Sequence, residues 1–60
     1  MVKILIVEDE IPAQINIKKL IDKHCTDSVV VATLSSVRST IKWLEDNPDG
    51  ADVIFMDVEL

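Results

Sequence analysis

Two short apolar segments of this chain end in acid. Lys3-Ile4-Leu5-Ile6-Val7 runs into Glu8-Asp9-Glu10, and Val53-Ile54-Phe55-Met56 runs into Asp57-Val58-Glu59. Asp9 and Asp57 stand 57 − 9 = 48 residues apart. If the two segments are parallel neighbouring strands, both sets of carboxylates lie at one edge of one sheet. Carboxylates gathered there repel one another, an arrangement that makes sense mainly if a hard cation neutralises them. Ligands of open α/β sheets bind at that carboxyl edge.

The elements between the two segments fit a parallel arrangement. Parallel neighbours need a crossover of a dozen or more residues, usually a helix. Pro12 suits a first helical position, where its missing N–H costs nothing. Ala13, Ile17, Leu20 and Ile21 recur at helical spacing, with Lys18, Lys19, Asp22 and Lys23 on the other side. The pattern fades over residues 24–28. Val29-Val30-Val31-Ala32 is short, apolar and β-branched, and reads as a buried strand. Ser35 or Ser36 can cap a second helix, whose inner face carries Val37, Thr40, Ile41 and Leu44 with Trp43 at its flank. Asn47-Pro48-Asp49-Gly50 stops it, and a last strand begins near Asp52. The pattern is β-α-β-α-β, with a right-handed crossover expected at each helix.

Composition narrows the class. Hydrophobic residues make up 48% of the 60, with one Gly and two Pro, which argues against disorder. The net charge of 6 − 11 = −5 offers no electrostatic reason to bind nucleic acid. No apolar run reaches the length of a membrane span, and Glu8 interrupts the first too early for a signal peptide. One Cys cannot form an internal disulfide, which fits a reducing cytoplasm. A 60-residue unit buries only about 60% of its unfolded surface, and no disulfide or zinc-ligand set compensates here. The expectation is the front half of a doubly wound α/β domain.

Ile4-Leu5-Ile6-Val7-Glu8-Asp9-Glu10 before a helix, with Ile54-Phe55-Met56-Asp57 two elements later, resembles the receiver domain of bacterial two-component response regulators. The resemblance covers all 60 residues and about the first half of that family's domain. The stretches Leu34-Ser35-Ser36-Val37 through Ile41-Lys42-Trp43-Leu44 and Asp52 through Leu60 are similar to receivers attached to LytTR-type DNA-binding domains. The resemblance implies a flavodoxin-like doubly wound parallel sheet truncated to β-α-β-α-β, with strand order 2-1-3. Pro12 sits one place later than the Pro often found after the acidic pair.

The resemblance also implies roles. Asp57 matches the phosphoacceptor. Asp9 matches the principal acidic ligand of Mg2+, Glu8 the acid beside it, and Glu59 the position whose backbone carbonyl completes the metal site. The implied protein is a cytoplasmic, transcription-regulating signalling switch and not an enzyme. A sensor histidine kinase or phosphotransfer protein feeds it, and DNA is reached only through an output domain absent here. The chemistry is sound. A carboxylate is a competent nucleophile toward phosphorus and yields an acyl phosphate. Its attack on an anion needs the charge neutralisation that a divalent cation supplies. Taking Ile17 as the core direction, Ile15 points about 160° away at 100° per residue. In the resembled family this helix faces the kinase, so Ile15 is expected to contact that partner. The last strand, left as an edge, is expected to leave a lone 60-residue fragment poorly folded, or paired with another copy or with its missing half.

Other residues have plainer readings. Glu10 is a solvated helix-start charge. His24 sits favourably at a helix C-terminus. Cys25 is a half-buried inert thiol, Trp43 a packing residue, and Asp49 and Asp52 turn and strand-edge solubilisers. Two rival functions stand beside the main one. Glu8 and Asp57-Val58-Glu59 could imitate the acids of a Toprim-type metal-dependent nucleic-acid enzyme. However, Asp9 stands where that family uses Gly, and its second motif is Asp-x-Asp. The other rival is a phosphorylation-independent interaction module. Dinucleotide or flavin binding is disfavoured, because the loop after Val7 has no Gly to let backbone N–H groups approach a phosphate.

Overall fold

The computed structural model describes residues 1–57. Along the chain come β1 (Val2–Glu8), α1 (Ile11–His24), β2 (Ser28–Leu34), α2 (Val37–Asp46) and β3 (Val53–Asp57). The three strands form one parallel sheet in the order β2-β1-β3, as expected of a truncated flavodoxin-like α/β fold. No helix among the described residues is long and apolar enough to cross a membrane.

β1 reads as an uninterrupted apolar run because it is central and covered on both faces. Ile4 and Ile6 pack with Ile21 of α1, with Ile17 and Val30 against them. Leu5 and Val7, on the opposite face by alternation, are fully buried. Each such side chain contributes about 1.5–3 kcal/mol by leaving water. The first crossover runs from β1 to β2 and the second from β2 back past β1 to β3, in opposite directions across the sheet, so connections of one hand put α1 and α2 on opposite faces.

β2 departs from expectation. It runs longer than Val29–Ala32, and it is not buried on both faces: its residues alternate in exposure, with Val29 and Val31 outward. The cause is its edge position, with β1 on one side and α1 packed on one face. Its register slips against β1, Ile4 lying opposite Val30 and Leu5 opposite Ala32, which leaves Val31 as a bulged residue.

α1 begins one residue before Pro12, with Glu10 at the N-cap. Pro12 still falls in the first turn, where no intrahelical N–H bond is lost. The helix ends with Lys23 and His24 in its last turn, and the Cys25 N–H closes on the Ile21 carbonyl at 2.8 Å. Ile21 is buried, but Leu20 is half exposed, contrary to its inward reading. Leu20, Ile17, Ile21, His24, Cys25 and Phe55 line an open apolar groove of about 440 Å³. Cys25 is exposed rather than half-buried.

Ser36, not Ser35, caps α2, its Oγ accepting the Ser39 N–H at 3.1 Å. Thr40 is the buried residue of the helix, whereas Ile41, assigned to the inner face, is exposed. Beyond α2 the chain is tied back to β1. The Lys3 N–H donates to Asp52 Oδ2 at 2.8 Å, the Asp52 N–H donates to the Lys3 carbonyl at 2.7 Å, and Lys3 Nζ donates to the Asp49 carbonyl at 2.5 Å. Asp52 is therefore a clamp at the start of β3 rather than a solubiliser. Gly50 lies against the Trp43 indole, where an added Cβ would come to 2.6 Å from Trp43 Cη2 and 2.7 Å from Asn47 Cβ. Gly50→Ala is expected to destabilise the fold by about 1–3 kcal/mol through overpacking, read from the midpoint of denaturant unfolding.

Candidate functional site

The carboxyl edge of the sheet is built by the ends of β1 and β3. Their register runs from Ile4 opposite Val53 to Glu8 opposite Asp57, so the last residue of each strand is an acid facing an acid. Asp9 and Glu10 follow at the same edge, both exposed. The sequence-predicted Glu8, Asp9 and Asp57 are thus carried to one end of one sheet. Glu59 lies outside the described residues.

Glu8 is the enclosed member, only 4% exposed. Its Oε1 accepts the Glu10 N–H at 3.1 Å, and its carbonyl accepts the Gln14 side-chain amide at 2.6 Å. Sequence reasoning missed Gln14. It stands six residues after Glu8 on the first turn of α1, and its amide fastens the helix start to the strand end. Proximity of strand end and helix start was the only signal for it. The hydrogen bond from the Glu10 N–H pulls the Glu8 carboxyl downward. A hydrogen bond shared with Asp9, burial, and the charges of Asp57 and Asp9 together outweigh it, and the Glu8 pKa is raised above its ordinary value.

Among the described residues no cationic side chain is paired with these acids. Among the described residues the ion pair is Lys18–Asp22, at 2.9 Å on the outer face of α1. The donors at the edge are carboxylate oxygens, a set that suits a hard cation. Among the described residues, however, no three His, Cys, Asp or Glu side chains are grouped closely enough to hold a metal ion. His24 and Cys25 sit at the far end of α1, about 20 Å of helix away from this edge. Ile15 is 52% exposed on α1, outside the core as its angle predicted, and Ile11 one turn before it is exposed as well.

Comparison with protein-family models, with curated proteins and with solved structures finds no match to this chain.

A carboxyl with a raised pKa takes up its proton more readily in the fold than in the unfolded chain. Its contribution is therefore fully present below the ordinary glutamate value and lost as pH rises through the folded value. Glu8→Gln removes that loss. The stability difference, variant minus parent, is expected to grow with pH across this window and to level off above it. Chemical unfolding at a series of pH values checks the slope, and a pH-independent difference would contradict the assignment.

Proposed function

We propose that this chain carries the phosphoacceptor edge of a response-regulator receiver, with Asp57 as the residue modified. The observation that carries the reading is the register of Glu8 opposite Asp57 in a parallel β2-β1-β3 sheet, with Asp9 beside them. Asp57 ends β3 and is exposed, so a phosphodonor can reach its carboxylate. In the proposed reaction an Asp57 oxygen bonds to phosphorus as the bond from phosphorus to the donor breaks, leaving an acyl phosphate. Glu8, Asp9 and Asp57, with the Glu59 carbonyl, would hold Mg2+, which supplies neutralisation of the gathered charge. Glu8, the most enclosed acid, anchors the set through its contacts with Glu10 and Gln14.

The proposed donor is a sensor histidine kinase or a phosphotransfer protein in a cytoplasmic two-component system. The output is transcription, through a LytTR-type domain. Exposed Ile15, with Ile11 a turn away, is the apolar contact offered to that donor beside the acidic edge. The proposed role is that of a signalling switch rather than an enzyme.

In the protein as its cell makes it, a small phosphodonor with Mg2+ is expected to label Asp57. The label should be lost to base and hydroxylamine and absent from Asp57→Ala. Asp9→Asn is expected to weaken Mg2+ binding. Label retained in Asp57→Ala would refute the reading. In the same protein, Ile15→Ala is expected to slow transfer from the cognate kinase by about tenfold, the loss of one buried contact, while leaving small-donor labelling intact. An unchanged kinase rate would remove Ile15 from the interface.

A further inference from the structure

The pairing of β1 with β3 has two ends of different character. At the carboxyl end Glu8 faces Asp57, and like charge opposes the pairing there. Between the ends Val53, Ile54, Phe55 and Met56 are all apolar. A slip of one residue exchanges one apolar side chain for another on each face of β3. Backbone ladder bonds can form in either register, so the run itself discriminates weakly.

The other end is different. The Lys3 N–H donates to Asp52 Oδ2 at 2.8 Å, and the Asp52 N–H donates to the Lys3 carbonyl. The second bond joins backbone to backbone and can re-form with a neighbouring residue. The first cannot, because it needs a side-chain oxygen beside Lys3. Ala51 and Val53 have none, so a slip of one residue in either direction leaves the Lys3 N–H without that acceptor. A backbone N–H held by a carboxylate is also stronger than a neutral ladder bond. Asp52 is presented from a seated turn. The Asn47 side-chain amide donates to the Trp43 carbonyl at 2.9 Å, the Gly50 N–H donates to the Asn47 carbonyl at 3.0 Å, and Gly50 packs against the Trp43 indole. The contact lies between β1 and β3, so a strand on the far side of β3 would leave it as it is.

We propose that Asp52 is a positioning residue for the acidic edge: by holding the Lys3 N–H it sets β3 in the one register that places Asp57 opposite Glu8. In a chain slipped by one residue, Asp57 moves about 3.3 Å along β1 and turns to the other face of the sheet. The chemical consequence rests on the phosphoacceptor reading, whereas the register is measured without a phosphodonor.

The test is the pattern of cross-strand NMR contacts in Asp52→Ala and Asp52→Asn, made in the protein as its cell makes it, with small-donor labelling of Asp57 beside it. The parent should show Ile6 against Phe55 across β1 and β3, and Ile4 against Val30 across β1 and β2. In Asp52→Ala the contact of Ile6 with Phe55 should give way to contacts with Ile54 or Met56, while that of Ile4 with Val30 stays. Labelling should fall about tenfold or more, the loss of one charge-assisted hydrogen bond. Asp52→Asn keeps an oxygen for the Lys3 N–H and should restore both register and labelling. An alanine variant with the parent's contact of Ile6 with Phe55 overturns the proposal, as does an asparagine variant that slips like alanine, or a slipped variant that labels as fast as the parent. Loss of the Ile4 contact with Val30 as well would mark general unfolding and overturns it too, since Asp52 would then support the fold and not the register. If the contacts behave as expected but the parent takes no label on Asp57, the phosphoacceptor reading fails and the setting of the register by Asp52 stands.

Discussion

The parallel pairing of β1 with both neighbours is the constraint from which the rest follows. Among the described residues, four of the five buried hydrophobic residues lie on β1, and the fifth, Ile21, packs onto it. A strand so enclosed must satisfy its backbone groups through its neighbours, since water does not reach them. Pairing it in parallel on both sides obliges the chain to return twice to the same end, which is why a helix follows β1 and another follows β2. The same obligation delivers the ends of β1 and β3 to one edge. The acids at that edge are brought together by a topology whose energy comes from the apolar residues preceding them.

That gathering opposes stability. Glu8 is nearly closed off from solvent, faces Asp57 across the ladder and adjoins Asp9, and among the described residues no cationic side chain is paired to any of them. The local answer is a hydrogen bond from the Glu10 N–H, and it does not overcome the burial and like charge that raise the Glu8 pKa. A position where local chemistry conflicts with folding in this way is where function is to be sought. Solubility alone would have been served by exposed acids such as Asp9 and Glu10, without enclosing Glu8.

Much of this was legible in the sequence, and the failures share a cause. β1, the helix begun near Pro12, a serine cap at Ser35 or Ser36 and the acid at the end of β3 are local signals, set by runs, spacing and capping chemistry. The outward sides of Leu20, Ile41, Val29 and Val31 are not local. Periodicity marks a residue as apolar, but whether anything covers it depends on which strands and helices stand beside it. With β2 and β3 both at edges of the described sheet, those residues have no second layer. Cys25 was misjudged for the same reason. Gln14 and Asp52 were missed differently: each is an ordinary polar residue whose importance comes from a backbone partner that only the fold brings near.

The Asp52 contact shows how far from the acids their geometry is decided. Side chains alternate along a strand, so a slip of one residue between β1 and β3 would set Met56 opposite Glu8 and turn Asp57 to the other face. Apolar burial does little to prevent this, because Val53 through Met56 are apolar on both faces and all half exposed. The discrimination has to come from the opposite end of the strand. There the Lys3 N–H and carbonyl both engage Asp52, and Lys3 Nζ reaches the Asp49 carbonyl. The turn bearing Asp49 is in turn seated by Gly50 against Trp43, a fit with no room for a methyl group. The position of Asp57 opposite Glu8 is thus held by a polar clamp one strand length away.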